Sequence, residues 1–312
     1  MRRVAAVDCG TNTIRLLVAD VDPDTGRQVS LVREMRVVRL GQDVDRTGRF
    51  ADEALARVFT AVEQYAGIVE DHHVDAVRFV ATSAARDASN GEALLDGVTT
   101  RLGVRPEIIT GDEEARLSFD GATRSLPTVP EPIAVVDIGG GSTELVLGVA
   151  GRVDAARSLD IGSVRLTERL MPSDPPTSAE LDAATRAVDE ALATLASYGV
   201  EVGDAATLVG VAGTVTTVGM LLLGLDHWDR ELVHQSAFPA TAVHDLVARL
   251  LAATVADRRA LGVPAGRADV IGAGALILDR VIRGSGVERL VVSDADILDG
   301  IAWSVARPPE QT

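Results

Sequence analysis

The same element occurs twice in this chain. "DCGTNTIRLLV" begins at Asp8 and "DIGGGSTELVL" at Asp137, and each follows an apolar run. With one set over the other, Gly10 falls on Gly139, Thr13 on Ser142, Arg15 on Glu144 and Leu16 on Leu145. Each copy reads as an apolar strand, an aspartate, a turn rich in glycine and hydroxyls, and a second apolar strand. One such hairpin would be weak evidence; two, each opening one half of the chain, predict a duplicated fold.

Consecutive glycines cost backbone entropy and offer no side chain to pack. What they allow is convergence of backbone amides on an anion, a nest for phosphate oxygens. The candidate phosphate-binding residues are therefore Asp8, Gly10, Thr11, Asn12 and Thr13 in the first copy, and Gly139, Gly140, Gly141, Ser142 and Thr143 in the second. Asp8 and Asp137 are candidates for holding a phosphate-bound Mg²⁺, directly or through water. Capping of the turn backbone is the structural alternative for both.

Strand and helix patterns alternate along the rest of the chain, which predicts an α/β architecture. Helices are expected over 51–72, 92–102 and 112–124, with strands over 74–82 and 106–111. "SLPTVPEP", residues 125–132, opposes both helix and central strand and marks the boundary between a first domain, 1–126, and a second, 127–296. In the second domain a helix is expected from a cap at Thr177 or Ser178 to about Tyr198. "ATLVGVAGTVTTVG" reads as strand, turn and helix N-terminus. Helical patterns follow over 241–254 and 267–282, then the strand "RLVVS" and a closing helix near 297–306.

Composition removes several function classes. All 30 basic residues are arginine, which excludes lysine Schiff-base chemistry and the lysine-requiring P-loop. A formal charge of -16 opposes a broad nucleic-acid surface. The longest apolar stretch, Val218 to Leu225, is too short to span a bilayer. Asp8 interrupts the apolar run near the N-terminus, so no signal peptide is expected and the cytoplasm is the expected compartment. Cys9, the single cysteine, permits no internal disulfide and reads as a small apolar filler. The five histidines lack zinc spacing, and Trp228 and Trp303 read as core filling.

Any hydrolytic chemistry at a bound phosphate would need a proton acceptor and neutralised phosphoryl oxygens. Asp112, Glu113 and Glu114 are adjacent acids, and a buried member would have a raised pKa suited to general-base work; an acidic first turn of a helix is the structural alternative. Glu144 begins the strand after the second turn and could orient water or help hold metal; a solvent-facing strand residue is the structural alternative. Arg15 and Arg86 are candidates for bidentate phosphate contact, Arg165 a weaker one, and for each a surface ion pair is the structural alternative. Gly213 and Thr214 stand at a helix N-terminus, a second type of anion site, or mark close strand-to-helix packing.

The paired Asp-Gly turns resemble the acetate and sugar kinase, heat-shock chaperone and actin superfamily. "DCGTNTIRLLV", "ATSAARDASNG", "TGDEEARLSF", "DIGGGSTELVLG", "IGSVRLTE" and "VAGTVTT" resemble, more narrowly, the Ppx/GppA family of exopolyphosphatases and guanosine pentaphosphate phosphohydrolases. The resemblance implies two related actin-like, ribonuclease H-like domains with phosphates bound in a cleft between them. It also implies a last helix, about 297–312, returning to the first domain. It implies Glu114 as the catalytic base, with Glu113 on the helix surface, and a water-orienting or metal role for Glu144. Mg²⁺ is the implied cofactor, at Asp8, Asp137 and Glu144.

The expected reaction is release of orthophosphate from the end of inorganic polyphosphate, with neither nucleic acid nor membrane as partner and a homodimer as the assembly it allows. Longer members carry further C-terminal helical domains absent from this sequence, so short chains are the expected substrates. Hydrolysis of guanosine pentaphosphate is the nearest rival, a non-hydrolytic nucleotide-binding sensor a second and a kinase a third. "VVSDADILDGIAW" lacks the Gly-Leu-Arg usual near this point in the family, so no contacts are carried over there.

Overall fold

The computed structural model describes residues 1–306. The chain divides into two compact units, the first holding Met1–Gly121 and the helix Ile297–Ala306, the second Ala122–Asp296. Residues 307–312, which the sequence reading joins to the closing helix, lie outside the described residues.

In the first unit, strands β1 (Arg2–Cys9), β2 (Thr13–Asp22), β3 (Arg27–Val37), β4 (Ala76–Ala81) and β5 (Glu107–Ile108) form one sheet in the order β3-β2-β1-β4-β5. The first three are an antiparallel meander, and β4 and β5 run parallel to β1. Both faces of β1 are covered, which is why it reads as an unbroken apolar run instead of alternating. Ala5, Val7 and Cys9 pack with helices α1 (Asp52–Asp71) and α2 (Gly91–Leu102), while Val4 and Ala6 pack with Ile301, Ala302 and Trp303 of the closing helix. Asp299 of that helix accepts hydrogen bonds from Gln28 and Arg33 on β3. A third helix, α3 (Gly111–Arg124), approaches the closing helix so nearly that a Cβ on Gly300 would meet the Leu117 carbonyl.

The second unit repeats this plan. Strands β6 (Ile133–Ile138), β7 (Thr143–Val149), β8 (Arg152–Leu159), β9 (Thr207–Val211), β10 (Ala237–Pro239) and β11 (Arg289–Val292) take the order β10-β11-β9-β6-β7-β8. Again three antiparallel strands lead, and two further strands run parallel to the first. Only β10 is extra, an antiparallel strand at the edge. The molecule is an α/β protein with two mixed sheets of the ribonuclease H-like order. Its longer helices are α4 (Ser163–Leu170), α5 (Ser178–Ala193), α6 (Ala212–Leu222), α7 (Ala240–Ala252) and α8 (Ile271–Ser285). Thr177 and Glu180 form a reciprocal capping box at the start of α5.

Three elements depart from expectation. The α5 helix stops at Ala193, and the chain continues to Tyr198 as a 3-10 turn. The helix expected from Arg267 starts instead at Ile271, because Arg267 belongs to a turn whose amide bonds the Pro264 carbonyl. Trp303 is core, but Trp228 is 46% exposed. It lies in the connection between α6 and the short helix Arg230–Val233, on no apolar face. Among the described residues no helix is long and apolar enough to cross a membrane.

Candidate functional site

The two hairpins are alike to the level of individual hydrogen bonds. Asp8 lies opposite Arg15 in the β1–β2 register, and Asp137 opposite Glu144 in β6–β7. The Gly10 amide donates to the Thr13 carbonyl at 2.9 Å, and the Gly139 amide to the Ser142 carbonyl at 3.0 Å. Each turn is then clamped by the segment that follows the third strand of its meander. Backbone amides of Val38, Arg39 and Gly41 donate to the carbonyls of Asn12 and Thr11. Those of Ser163, Val164 and Arg165 donate to the carbonyls of Gly139 and Gly140, and the Arg165 Nε donates to the Gly141 carbonyl at 2.7 Å. Carbonyl oxygens, which would repel an anion, are thereby committed within the fold.

A glycine sits at each clamp for steric reasons. A Cβ on Gly162 would come within 2.6 Å of the Gly141 carbonyl carbon and still closer to the Gly140 carbonyl. A Cβ on Gly41 would collide with the Thr11 side chain. Neither glycine stood out in the sequence, because its need comes from a neighbour about thirty or twenty residues away in the chain, beyond the reach of local turn rules.

The hairpins differ in charge. Asp8 Oδ2 accepts from Arg15 Nη2 at 2.7 Å and Nε at 3.0 Å, so the first is closed by an ion pair. In the second the facing residues are both acids: Asp137 is 6% exposed and Glu144 1%. Burial removes the solvent-facing reading of Glu144. Ser158 Oγ donates to its Oε1 at 2.7 Å. Thr143 needs a correction as a phosphate donor: it is fully buried and its hydroxyl donates to the Ile161 carbonyl at 2.7 Å, so it braces the turn.

The first unit supplies the candidate base. Glu114, in the first turn of α3, is 8% exposed, and its Oε2 accepts from Arg86 Nη1 at 2.7 Å. The same nitrogen donates to the Ile109 carbonyl at 3.1 Å. Arg86 lies in the short helix after β4, whose last residues pair with Asp8 and Cys9 of β1. Parallel pairing thus carries Arg86 and Glu114 to the same sheet end as the first hairpin turn. Glu113 is half-exposed and ion-paired with Arg78 at 2.6 Å. Burial, with a smaller push from Asp8, raises the Cys9 thiol far above the range of a nucleophile.

The second unit places a different group after its fourth strand. Val211 of β9 pairs with Asp137, and α6 begins at once. Ala212 holds φ at +66°, a left-handed conformation unusual for alanine, and strain of this kind clusters at functional sites. Arg267, absent from the sequence-derived candidates, lies over Gly213: a Cβ there would fall within 2.6 Å of its Cζ. Its Nη1 reaches Thr217 Oγ1 at 3.4 Å. Thr214 is buried beside Gly274. Among the described residues no three His, Cys, Asp or Glu side chains group as a metal site; Asp137 and Glu144 lie opposite each other in register.

The model of the Ppx/GppA phosphatase family matches residues 17–306. The chain is 47% identical to "Exopolyphosphatase 2" of Mycobacterium tuberculosis over 98% of its own length and 99% of that protein's. A crystal structure described as an exopolyphosphatase-like protein superposes with a TM-score of 0.93 at 42% identity, covering 97% of each chain. The Aquifex aeolicus PPX-GPPA enzyme gives a TM-score of 0.82 at 30% identity, over 97% of this chain and 99% of that one.

Proposed function

The chain belongs to the Ppx/GppA phosphatase family, and from that premise we propose that it is an exopolyphosphatase that hydrolyses the terminal phosphoanhydride of inorganic polyphosphate. The observation that carries the reading is the buried Arg86–Glu114 pair in the first turn of α3. A carboxylate fixed by one guanidinium and shielded from bulk water is suited to take a proton from an attacking water. As the new P–O bond to water forms, the bridging P–O bond breaks, and the shortened chain leaves with the electron pair. Arg86 orients Glu114. The 47% identical relative named for polyphosphate favours that substrate over guanosine pentaphosphate.

The remaining candidates act on charge. Amides of the Gly139–Gly141 turn, with Ser142, recognise phosphate oxygens, and Gly10, Thr11, Asn12 and Thr13 do so in the first unit. Arg267, beside Gly213 and Thr214, adds mobile positive charge in a chain without lysine. Two buried carboxylates facing each other fit a hard divalent cation such as Mg²⁺, which takes few protein carboxylates alongside phosphate and water. When bound, that ion neutralises charge on the phosphoryl oxygens. Asp137 and Glu144, opposite each other in the β6–β7 register, are the residues proposed to hold it, while Asp8 pairs with Arg15.

The test is orthophosphate release, with Mg²⁺, from short polyphosphate, long polyphosphate and guanosine pentaphosphate, by wild type and Glu114→Ala. Release from polyphosphate that is lost in the variant supports the reading. Preference for guanosine pentaphosphate replaces the substrate, and undiminished release by the variant removes Glu114 as base.

A further inference from the structure

One position in the duplicated plan carries a different kind of polar group in each unit. Val80 of β4 pairs with Asp8, and Val211 of β9 pairs with Asp137. Two residues beyond these pairs stand Thr82 in the first unit and Gly213 in the second. At Gly213 the missing side chain makes room for the guanidinium of Arg267, which lies over it. At Thr82 the chain supplies its own polar atom: a Cβ on Gly10, in the first turn, would lie 3.9 Å from Thr82 Oγ1. The segment that follows stays against that turn, since a Cβ on Gly41 would meet both the Thr11 side chain and the Ala84 methyl group. Thr82 directly precedes the short helix Ser83–Asp87, which carries Arg86.

The fold leaves the Thr82 hydroxyl unused. A threonine in front of a helix ordinarily accepts from an amide of the first turn, yet Thr82 makes no such bond. The residue is 4% exposed, and its hydroxyl has no hydrogen-bond partner among the described residues. The oxygen is nevertheless not sealed from solvent. Thr143 shows the contrast, because its hydroxyl is committed to the Ile161 carbonyl. Buried hydroxyls are nearly always hydrogen-bonded, so one left open beside a glycine turn calls for an external partner. The Thr11 and Asn12 carbonyls of that turn are engaged by the clamp amides, which leaves the hydroxyl to an acceptor brought by a ligand.

We propose that Thr82 is a substrate-binding residue, donating its Oγ1–H to a phosphate oxygen held at the first glycine turn, as the neutral counterpart of Arg267 in the second unit. A hydroxyl offers one donor without charge. That suits an end of the sheet where Arg15 and Arg86 already stand, each paired with a carboxylate. The inference rests on the reading of the ligand as a phosphate chain and adds to it a residue that makes no contribution to proton transfer.

The experiment titrates the full-length protein calorimetrically, with Mg²⁺ present, with the imido analogue of tripolyphosphate, whose bridging nitrogens resist hydrolysis. Wild type is compared with Thr82→Val, which keeps the shape and removes the hydroxyl, and with Thr82→Ser, which keeps the hydroxyl and removes a methyl group. Thr82→Val is expected to bind about tenfold more weakly, the loss of one hydrogen bond to a charged group. Its melting temperature without ligand stays at or above that of wild type, because the hydroxyl it removes has no partner in the fold. Thr82→Ser binds within about twofold of wild type, even where the lost methyl group lowers its melting temperature. Equal binding by Thr82→Val overturns the proposal and leaves the hydroxyl to a water molecule. A melting temperature of Thr82→Val that falls along with its affinity overturns it too, as does wild type that fails to bind the analogue. Wild type that binds the analogue but releases no orthophosphate from polyphosphate removes the proposed hydrolysis, while the affinities of the three proteins still decide the role of Thr82.

Discussion

Glu144 stands directly opposite Asp137 in the β6–β7 register, at the position where the first hairpin sets Arg15 opposite Asp8. The duplicated hairpin therefore carries an internal salt bridge in one copy and two buried acids in the other. Two carboxylates on facing strands offer oxygen ligands to a hard divalent cation. Mg²⁺ is expected to raise the melting temperature of the wild type, by an amount equivalent to about 2.7 kcal/mol at a hundredfold excess over Kd. Glu144→Gln keeps an acceptor for Ser158 but loses this response. Thermal unfolding across a Mg²⁺ series checks both; an equal response in the variant would place the ion elsewhere.

Glu114→Gln tests the base more finely than alanine, because the amide oxygen still accepts from Arg86. The capacity to take a proton is removed, together with the negative charge that pairs with Arg86. The expected result is a fall in kcat of about 10²–10⁴ with little change in KM, the pattern of a group that acts in the transition state. Glu113→Gln, which touches only the Arg78 ion pair on the surface of the first unit, leaves kcat unchanged. Steady-state phosphate release by the three proteins decides the assignment.

The alternation of strands and helices was legible because apolar period and turn residues are local properties. α1, α2, α3 and the closing helix fall within a residue or two of expectation. The duplicated hairpin was legible as well, since both copies keep the aspartate, the glycine and the spacing. The turn clamps at Gly41 and Gly162, and Arg267 over Gly213, were not: each is fixed by a contact distant in sequence. Thr143 read as a phosphate donor because sequence shows a hydroxyl beside glycines. Its commitment to Ile161 depends on where the chain after β8 returns.

Gly162→Ala is expected to damage the second turn. The added Cβ meets the peptide units of Gly140 and Gly141, which are backbone and cannot swing aside. Overpacking of this kind costs ~1–3 kcal/mol, and relief by moving the turn would also raise KM. Gly41→Ala meets the Thr11 side chain instead, and a side chain yields more readily than backbone, so its loss of stability is smaller. Melting temperatures of the two variants give the order. A Gly162→Ala protein as stable and active as wild type would show that the clamp is not rigid.

Gly213→Ala is expected to act at a different level, on binding with the fold preserved. Its Cβ displaces the guanidinium of Arg267, the mobile end of a long side chain, so melting temperature changes little. KM for polyphosphate rises about tenfold if Arg267 contacts substrate, the loss of one charge-assisted hydrogen bond at ~1.5 kcal/mol. Arg267→Met removes the same guanidinium by another route. If both substitutions act through that one group, the double variant is no worse than Arg267→Met alone, and the coupling energy nearly equals the single effect. Additive losses would instead mean that Gly213 serves substrate through its own amide, at the N-terminus of α6.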